Sequence, residues 1–109
     1  MVARALRPEH YYTHDEMTEF LSALAEENPH LLRLESIGKS LEGRDIWAAT
    51  VTDFGDRPAE DKPAVYIDAC IHAGEVSGTQ VCLHTIESLV DGFERDPFVT
   101  EILKRCTFY

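Results

Sequence analysis

Long hydrophobic runs are absent from this sequence of 109 residues. No apolar stretch approaches the ~20 residues that a membrane-spanning helix needs, so we expect no membrane association. The opening segment, "MVARALRPEHYYTHDE", contains arginines but no apolar core of the kind found in signal peptides. We therefore expect a cytoplasmic location, with secretion from a longer precursor left open.

Basic residues and cysteines are also scarce. Ten lysines and arginines stand against twenty acidic residues, a net charge of −10. A surface of this sign repels phosphate backbones, so nucleic acid is not an expected partner. The three cysteines show no C-x-x-C spacing, which favours buried thiols in a reducing compartment over a disulfide framework. The length is that of one domain.

The first half of the chain predicts a helix followed by a β-hairpin. The segment "THDEMTEFLSALAEENP" opens with a capping box between Thr13 and Glu16, continues with apolar residues at helical spacing, and ends before Pro29. Two runs with strand character come next, at residues 32–37 and 46–51. The segment "GKSLEGRD" between them has the composition of a hairpin connection.

The second half predicts a strand, a long helix and the start of another strand. The segment "AVYIDACI" is typical of a strand buried on both faces, because its apolar residues hardly alternate with polar ones. Apolar residues then recur at helical spacing from about Ser77 to Phe93. "FVTEILKR" indicates one more short helical turn, and "CTFY" opens like a buried strand. A strand, a helix and a further strand favour a right-handed crossover, hence an α/β sheet.

A histidine and a glutamate three residues apart follow the predicted buried strand. His72 and Glu75, in "DACIHAGEVSG", stand at the expected carboxyl end of that strand, where α/β folds place functional groups. Side chains with this spacing lie on one side of a turn, with Cβ atoms ~5–6 Å apart, so a metal fits between imidazole and carboxylate. Gly74 and Gly78 would let the backbone turn tightly and leave room above the metal. Surface and capping pairs share this spacing, so the motif alone leaves both interpretations open.

Several motifs in a fixed order resemble the zinc carboxypeptidase family, the M14-type metallopeptidases. They are "IGKSLEGRDIWAATVTD", then "KPAVYIDACIHAGEVSGTQVCLHTIESLV", then "FVTEILKRCTFY". In that family a G-x-S-x-E-G-R segment leads a strand, and a later buried strand ends in H-x-x-E before a helix and a further strand. The resemblance covers about residues 11–109. It implies that residues 1–109 are the amino-terminal part of a single catalytic domain, truncated at its carboxyl end, and that the complete domain is a mixed α/β sheet with helices on both faces.

The resemblance also implies a set of site residues. His72 and Glu75 match the zinc ligands, with one Zn²⁺ per complete domain. The third ligand, the general base and the substrate-binding arginines of the family would lie beyond Tyr109, so no catalytic residue is predicted within the chain. Gly74 stands where digestive members have an arginine, which leaves their subsite preference unsupported here. His84 cannot replace the third ligand, because it lies off the apolar face of its helix and is expected to face solvent.

Three further residues have two interpretations each. Arg44, in "LEGRD", fits the family pattern as a weak substrate-binding candidate, or pairs with a neighbouring carboxylate in the turn. Asp68 either orients His72 or is satisfied by backbone groups at a sheet edge, and we favour the second interpretation. Cys70 alternates with His72 along the predicted strand and so points to the same side, where a small core thiol is favoured over a metal ligand.

These observations together predict a zinc-dependent metallocarboxypeptidase-like hydrolase that releases C-terminal amino acids from peptides. The chain by itself is expected to be inactive, because two protein ligands without a general base do not complete a catalytic site. Two alternatives stay open: a zinc-dependent N-acyl amino acid amidohydrolase, which shares the ligand pair at a strand end, and a non-catalytic binding domain that keeps the fold. The extended "GKSLEGRD" match favours the carboxypeptidase over the amidohydrolase.

Overall fold

The computed structural model describes residues 5–109. Three α-helices occur in this range: α1 (His14–Glu27), α2 (Val76–Gly92) and α3 (Pro97–Arg105). The strands in the same range are β1 (Leu32–Lys39), β2 (Asp45–Val51), β3 (Ala64–Val65) and β4 (Thr107–Phe108), with a short 3₁₀ turn at Ala59–Asp61. None of the described helices is both long enough and apolar enough to cross a membrane.

The strands form one mixed sheet in the order β1-β2-β4-β3. β1 and β2 are the expected antiparallel hairpin, with Leu32 opposite Val51 and Lys39 opposite Asp45. β4 pairs antiparallel with β2 and parallel with β3. The parallel pair β3 and β4 is connected through α2 and α3, as the order of strand, helix and strand predicted. The mixed α/β class is confirmed.

α1 begins and ends where local sequence signals place its boundaries. The Thr13 hydroxyl accepts from the Glu16 N–H at 3.2 Å, and the Glu16 carboxylate accepts from the Thr13 N–H at 3.0 Å. The Thr13 N–H and then the His10 ring hold the pKa of Glu16 at about 2. At the other end Asn28 caps the helix, and its side-chain amide donates to the Leu24 carbonyl at 2.9 Å. The predicted capping box is confirmed.

The hydrophobic core lies between the helices and one face of the hairpin. Leu32 and Val51 face each other across β1 and β2 and are almost completely buried. On the same face the Trp47 indole N–H donates to the Thr18 hydroxyl of α1 at 2.8 Å. Each helix adds buried side chains to this one cluster, namely Phe20, Leu21 and Leu24 from α1, Leu83 and Val90 from α2, and Leu103 from α3. Helices on both faces of the sheet were expected of the complete domain, and this expectation stays a prediction.

The expectation that "AVYIDACI" is a strand buried on both faces is wrong for the described chain. Only Ala64 and Val65 form regular strand, and residues 64–69 are exposed throughout, with Tyr66 73% accessible. The reason is that β3 lies at the edge of the sheet beside β4 and that none of these residues packs against the core cluster. Beyond Val65 the pairing continues only through Ile67, whose N–H donates to the Tyr109 carbonyl at 2.8 Å.

α3 is longer than the single helical turn expected from "FVTEILKR". It has nine residues and begins with Pro97. The Asp96 carboxylate accepts from the backbone N–H groups of Phe98 and Val99, at 2.9 and 3.5 Å. An N-cap aspartate followed by proline is a strong helix start, and its strength was underestimated from the sequence.

A buried lysine joins three parts of the fold. Lys62 belongs to the connection between β2 and β3, yet only 5% of it is exposed. Its ammonium donates to the Thr52 hydroxyl at 2.9 Å, to the Asp53 carbonyl at 2.8 Å and to the Leu103 carbonyl at 3.1 Å. The charge therefore lies at the carboxyl end of α3, where the helix dipole favours a cation. It ties the end of β2, the loop before β3 and α3 together.

Replacing Lys62 with methionine should destabilise the fold. The aliphatic chain is kept, but the Thr52 hydroxyl and the Asp53 and Leu103 carbonyls each lose the hydrogen bond from the ammonium, so the free energy of unfolding should fall by about 2 kcal/mol. Lys104→Met is the matched control, because Lys104 is an exposed residue in the last turn of the same helix. Its effect should stay within about 1 kcal/mol. Urea denaturation followed by circular dichroism measures both, and equal losses in the two variants would contradict the role given to Lys62.

Candidate metal centre

The H-x-x-E motif lies in the connection between β3 and α2. Because β3 is parallel to β4 and β4 is antiparallel to β2, β3 runs in the direction opposite to β2, and its last residue, Val65, is level with Val51 at the end of β2. The N-terminus of α1 lies beside the start of β2, where the His14 ring contacts the Asp45 carbonyl at 2.8 Å. Glu75 directly precedes α2, and His72 lies three residues earlier. The motif therefore follows β3 along the chain, with residues 66–71 between the strand and His72, and its place at the carboxyl end of a strand stays a prediction.

The two predicted ligands are in contact with each other. His72 Nδ1 lies 3.1 Å from Glu75 Oε2, and the His72 backbone N–H donates to Glu75 Oε1 at 3.1 Å. The Glu75 N–H donates to the His72 carbonyl at 3.0 Å, which closes the turn. Both side chains are open to solvent, 80% exposed for the histidine and 53% for the glutamate. The spacing seen in the sequence thus becomes one exposed imidazole–carboxylate pair.

This donor pair fits a zinc ion. Ligand atoms bound to tetrahedral zinc at ~2.1 Å lie about 3.4 Å apart, and the two donor atoms here are 3.1 Å apart. The contact with the carboxylate is made through a proton on Nδ1. This proton must leave before a metal can bind there, because a metal binds the unprotonated nitrogen of a neutral imidazole. Within residues 5–109 no group of three His, Cys, Asp or Glu side chains could hold a metal. The described residues thus bring together two candidate donors.

The two glycines of the motif differ in their surroundings. A Cβ atom added at Gly74 would have nothing within 4 Å, which agrees with open space beside the pair. A Cβ atom at Gly78 would lie 2.9 Å from the Ala69 Cβ. The expectation that both glycines leave room above a metal is therefore wrong for Gly78, which leaves room for the chain segment before His72. This close approach has no periodicity signal in the sequence and was missed there.

Cys70 does not alternate with His72 as expected. Its backbone is left-handed, with φ 61°, so regular strand geometry is lost before the motif. The half-buried thiol donates instead to the His72 carbonyl at 3.5 Å. Left-handed backbone is uncommon for residues other than glycine, and it turns the chain sharply between the strand and the ligand pair.

The remaining candidates are not joined to the ligand pair by hydrogen bonds in the part of the chain that the structure describes. Asp68 faces Tyr66, and its carboxylate raises the pKa of the Tyr66 phenol. Arg44 Nη1 donates to Glu42 Oε1 at 2.6 Å, which raises the arginine pKa and matches the pairing considered from the sequence. His84 is exposed on α2, as expected. Substrate binding by Arg44 and orientation of the ligand by Asp68 stay predictions.

Comparison with known proteins covers most of the chain. A family model described as zinc carboxypeptidase matches residues 17–109. Carboxypeptidase D of Mus musculus is 30% identical over 95 residues, which cover 87% of this chain and 7% of that protein. The zinc carboxypeptidase of Saccharothrix mutabilis subsp. capreolus is 32% identical over 95 residues, which cover 85% of this chain and 21% of that protein.

The fold agrees with a solved structure as well. The crystal structure of thrombin activatable fibrinolysis inhibitor superposes with a TM-score of 0.83 at 26% identity, covering 94% of this chain and 25% of that one. The chain thus spans a quarter or less of the length of each of these relatives.

Proposed function

The chain belongs to the zinc carboxypeptidase family, and we propose that it carries two zinc ligands, His72 and Glu75, of a metallocarboxypeptidase that releases C-terminal amino acids from peptides. The observation that carries the proposal is the 3.1 Å separation between His72 Nδ1 and Glu75 Oε2 in the exposed connection between β3 and α2. A contact between these side chains also suits a plain turn. The family match is what favours the metal.

Each of the two side chains has a defined part in this proposal. His72 contributes a neutral nitrogen and Glu75 an anionic oxygen, so together they offset one of the two positive charges of the ion. The remaining charge is what zinc supplies to the reaction, polarising a carbonyl and lowering the pKa of bound water. Their high exposure leaves the other side of the pair open for a third ligand, water and substrate.

Arg44 remains the candidate substrate-binding residue of this chain. It lies in the hairpin connection between β1 and β2. Its guanidinium is exposed and now paired with the Glu42 carboxylate. Because a substrate carboxylate would have to displace that partner, we rank this role below the metal site.

The full-length protein should bind about one zinc ion per chain. His72→Ala and Glu75→Ala should each remove most of it, because each deletes one of few protein ligands. His84→Ala is the matched control, since His84 is an exposed histidine of α2 outside the ligand pair and should leave the zinc content unchanged. Metal analysis after gel filtration measures all four proteins. Zinc content that is unaffected by both ligand substitutions would refute the assignment.

The substrate class separates the two enzymatic interpretations. Full-length protein should release C-terminal residues from peptides, and a chelator and Glu75→Ala should both abolish this release, because the metal holds the reacting water. N-acyl amino acids should be poor substrates. Amino acid release from both substrate sets, measured side by side, gives the comparison. Preferential cleavage of N-acyl amino acids would identify an amidohydrolase, and inertness toward both sets despite bound zinc would favour a binding domain.

Residues 1–109 on their own should not hydrolyse peptides. Two protein ligands leave at least two zinc positions to solvent, whereas catalytic sites usually take three ligands from protein. Weak zinc binding without turnover is therefore expected of the purified chain. Zinc-dependent release of C-terminal amino acids that is lost in Glu75→Ala would contradict this, and would indicate a site completed by association of several chains.

A further inference from the structure

The segment that carries the ligand pair closes on itself at Gly78. This residue lies in the first turn of α2, and the chain passes directly over it at Ala69 and Cys70. A Cβ atom added at Gly78 would come within 2.9 Å of the Ala69 Cβ and 3.4 Å of the Cys70 backbone nitrogen. The first distance is shorter than side chains in proteins tolerate, and the Ala69 methyl cannot swing aside because it is fixed to the backbone.

The contact joins the two arms that hold the ligands. One arm runs from Ala69 through Cys70 to His72, with the Cys70 thiol bonded to the His72 carbonyl at 3.5 Å. The other arm is the start of α2, where the Gly78 N–H donates to the Glu75 carbonyl at 3.0 Å. Each ligand is therefore fixed to one side of the Gly78–Ala69 contact. Moving the arms apart must alter the position of His72 relative to Glu75.

We propose that Gly78 is a positioning residue for the metal site, and that its missing side chain sets the spacing of His72 and Glu75. This inference rests on the proposed zinc function. A methyl group at Gly78 needs about 0.5 Å more space, the difference between 2.9 Å and the 3.4 Å at which ordinary contact begins. Metal–ligand distances tolerate deviations of only about 0.2 Å. The displacement is thus large enough to disturb the site.

Helix propensity alone predicts the opposite effect. Alanine is a better helix former than glycine, so Gly78→Ala would be harmless or favourable if this position served only α2. The close contact predicts a loss instead. The two explanations therefore predict opposite effects of Gly78→Ala.

The test is zinc affinity of the full-length protein, measured by competition with a chromophoric chelator. Gly78→Ala should raise the zinc dissociation constant about 10- to 100-fold, as loss of an orienting neighbour typically does. Gly74→Ala is the matched control, because it adds the same methyl group to the same connection and meets nothing within 4 Å. A second control, Gly38→Ala, adds the same methyl group to a glycine of β1 that lies outside the connection carrying the ligand pair and also meets nothing within 4 Å. The dissociation constant of Gly38→Ala should stay within about threefold of wild type, and a loss in Gly74→Ala alone would reflect its position beside the metal.

Moving the methyl group across the contact provides the decisive variant. In Ala69→Gly/Gly78→Ala the clashing Ala69 Cβ is gone and the Cys70 nitrogen is left at ordinary contact distance. This double variant should bind zinc within about threefold of wild type, and its cobalt(II) derivative should regain the wild-type absorption spectrum. If Gly78→Ala only destabilised the fold, its metal-bound fraction would keep the wild-type cobalt(II) spectrum, whereas a changed ligand spacing alters that spectrum in the single variant.

The possible outcomes separate the two proposals. Wild type that binds no zinc overturns the proposed function. Wild type that binds zinc, together with Gly78→Ala that binds it equally well, overturns only the positioning role. If Gly78→Ala fails to fold, the double variant decides: folding and zinc binding near the wild-type level support the role, and their absence overturns it.

Discussion

The described structure depends on the backbone pairing of the two-residue strand β4 with its two neighbours. Phe108 pairs with Val51 of β2 on one side and with Val65 of β3 on the other. Without this ladder, nothing in the sheet would join the hairpin to the strand that leads to the ligand pair. Because β4 is antiparallel to one neighbour and parallel to the other, it also sets the direction of β3 opposite to that of β2.

Buried polar contacts hold β4 and the start of β3 in place. Thr107 is fully buried, its N–H donates to the Pro63 carbonyl at 2.9 Å and its hydroxyl donates to the Ala59 carbonyl at 2.8 Å. Next to it, Lys62 and Thr52 satisfy carbonyl groups at the end of α3. Buried polar groups stabilise a structure only when they are paired, and these are. The segment that enters the metal site therefore starts from a rigid anchor.

The candidate site combines this rigid entry with a strained and crowded turn. Cys70 has left-handed backbone, and Gly78 allows α2 to start against the chain that precedes His72. The resulting pair of donors is exposed, and apolar residues beside it, Ile71 and Val76 among them, are exposed as well. An open edge of this kind suits a site that receives a further ligand and a substrate. The relatives are longer, and this chain matches a quarter or less of each of them.

Features set by neighbouring residues could be predicted from the sequence. The capping box of α1, the hairpin with its glycine-containing turn and the three-residue spacing of His72 and Glu75 all depend on groups a few positions apart. Features that depend on distant residues were decided by the tertiary structure. Lys62 is buried because its ammonium meets the Leu103 carbonyl, 41 positions away in the sequence. Residues 64–69 are exposed because β3 lies at the sheet edge, and an apolar run predicts burial only when other segments cover it. The Gly78 contact likewise requires α2 to cross the chain before His72, and no local pattern records where two segments will meet in space.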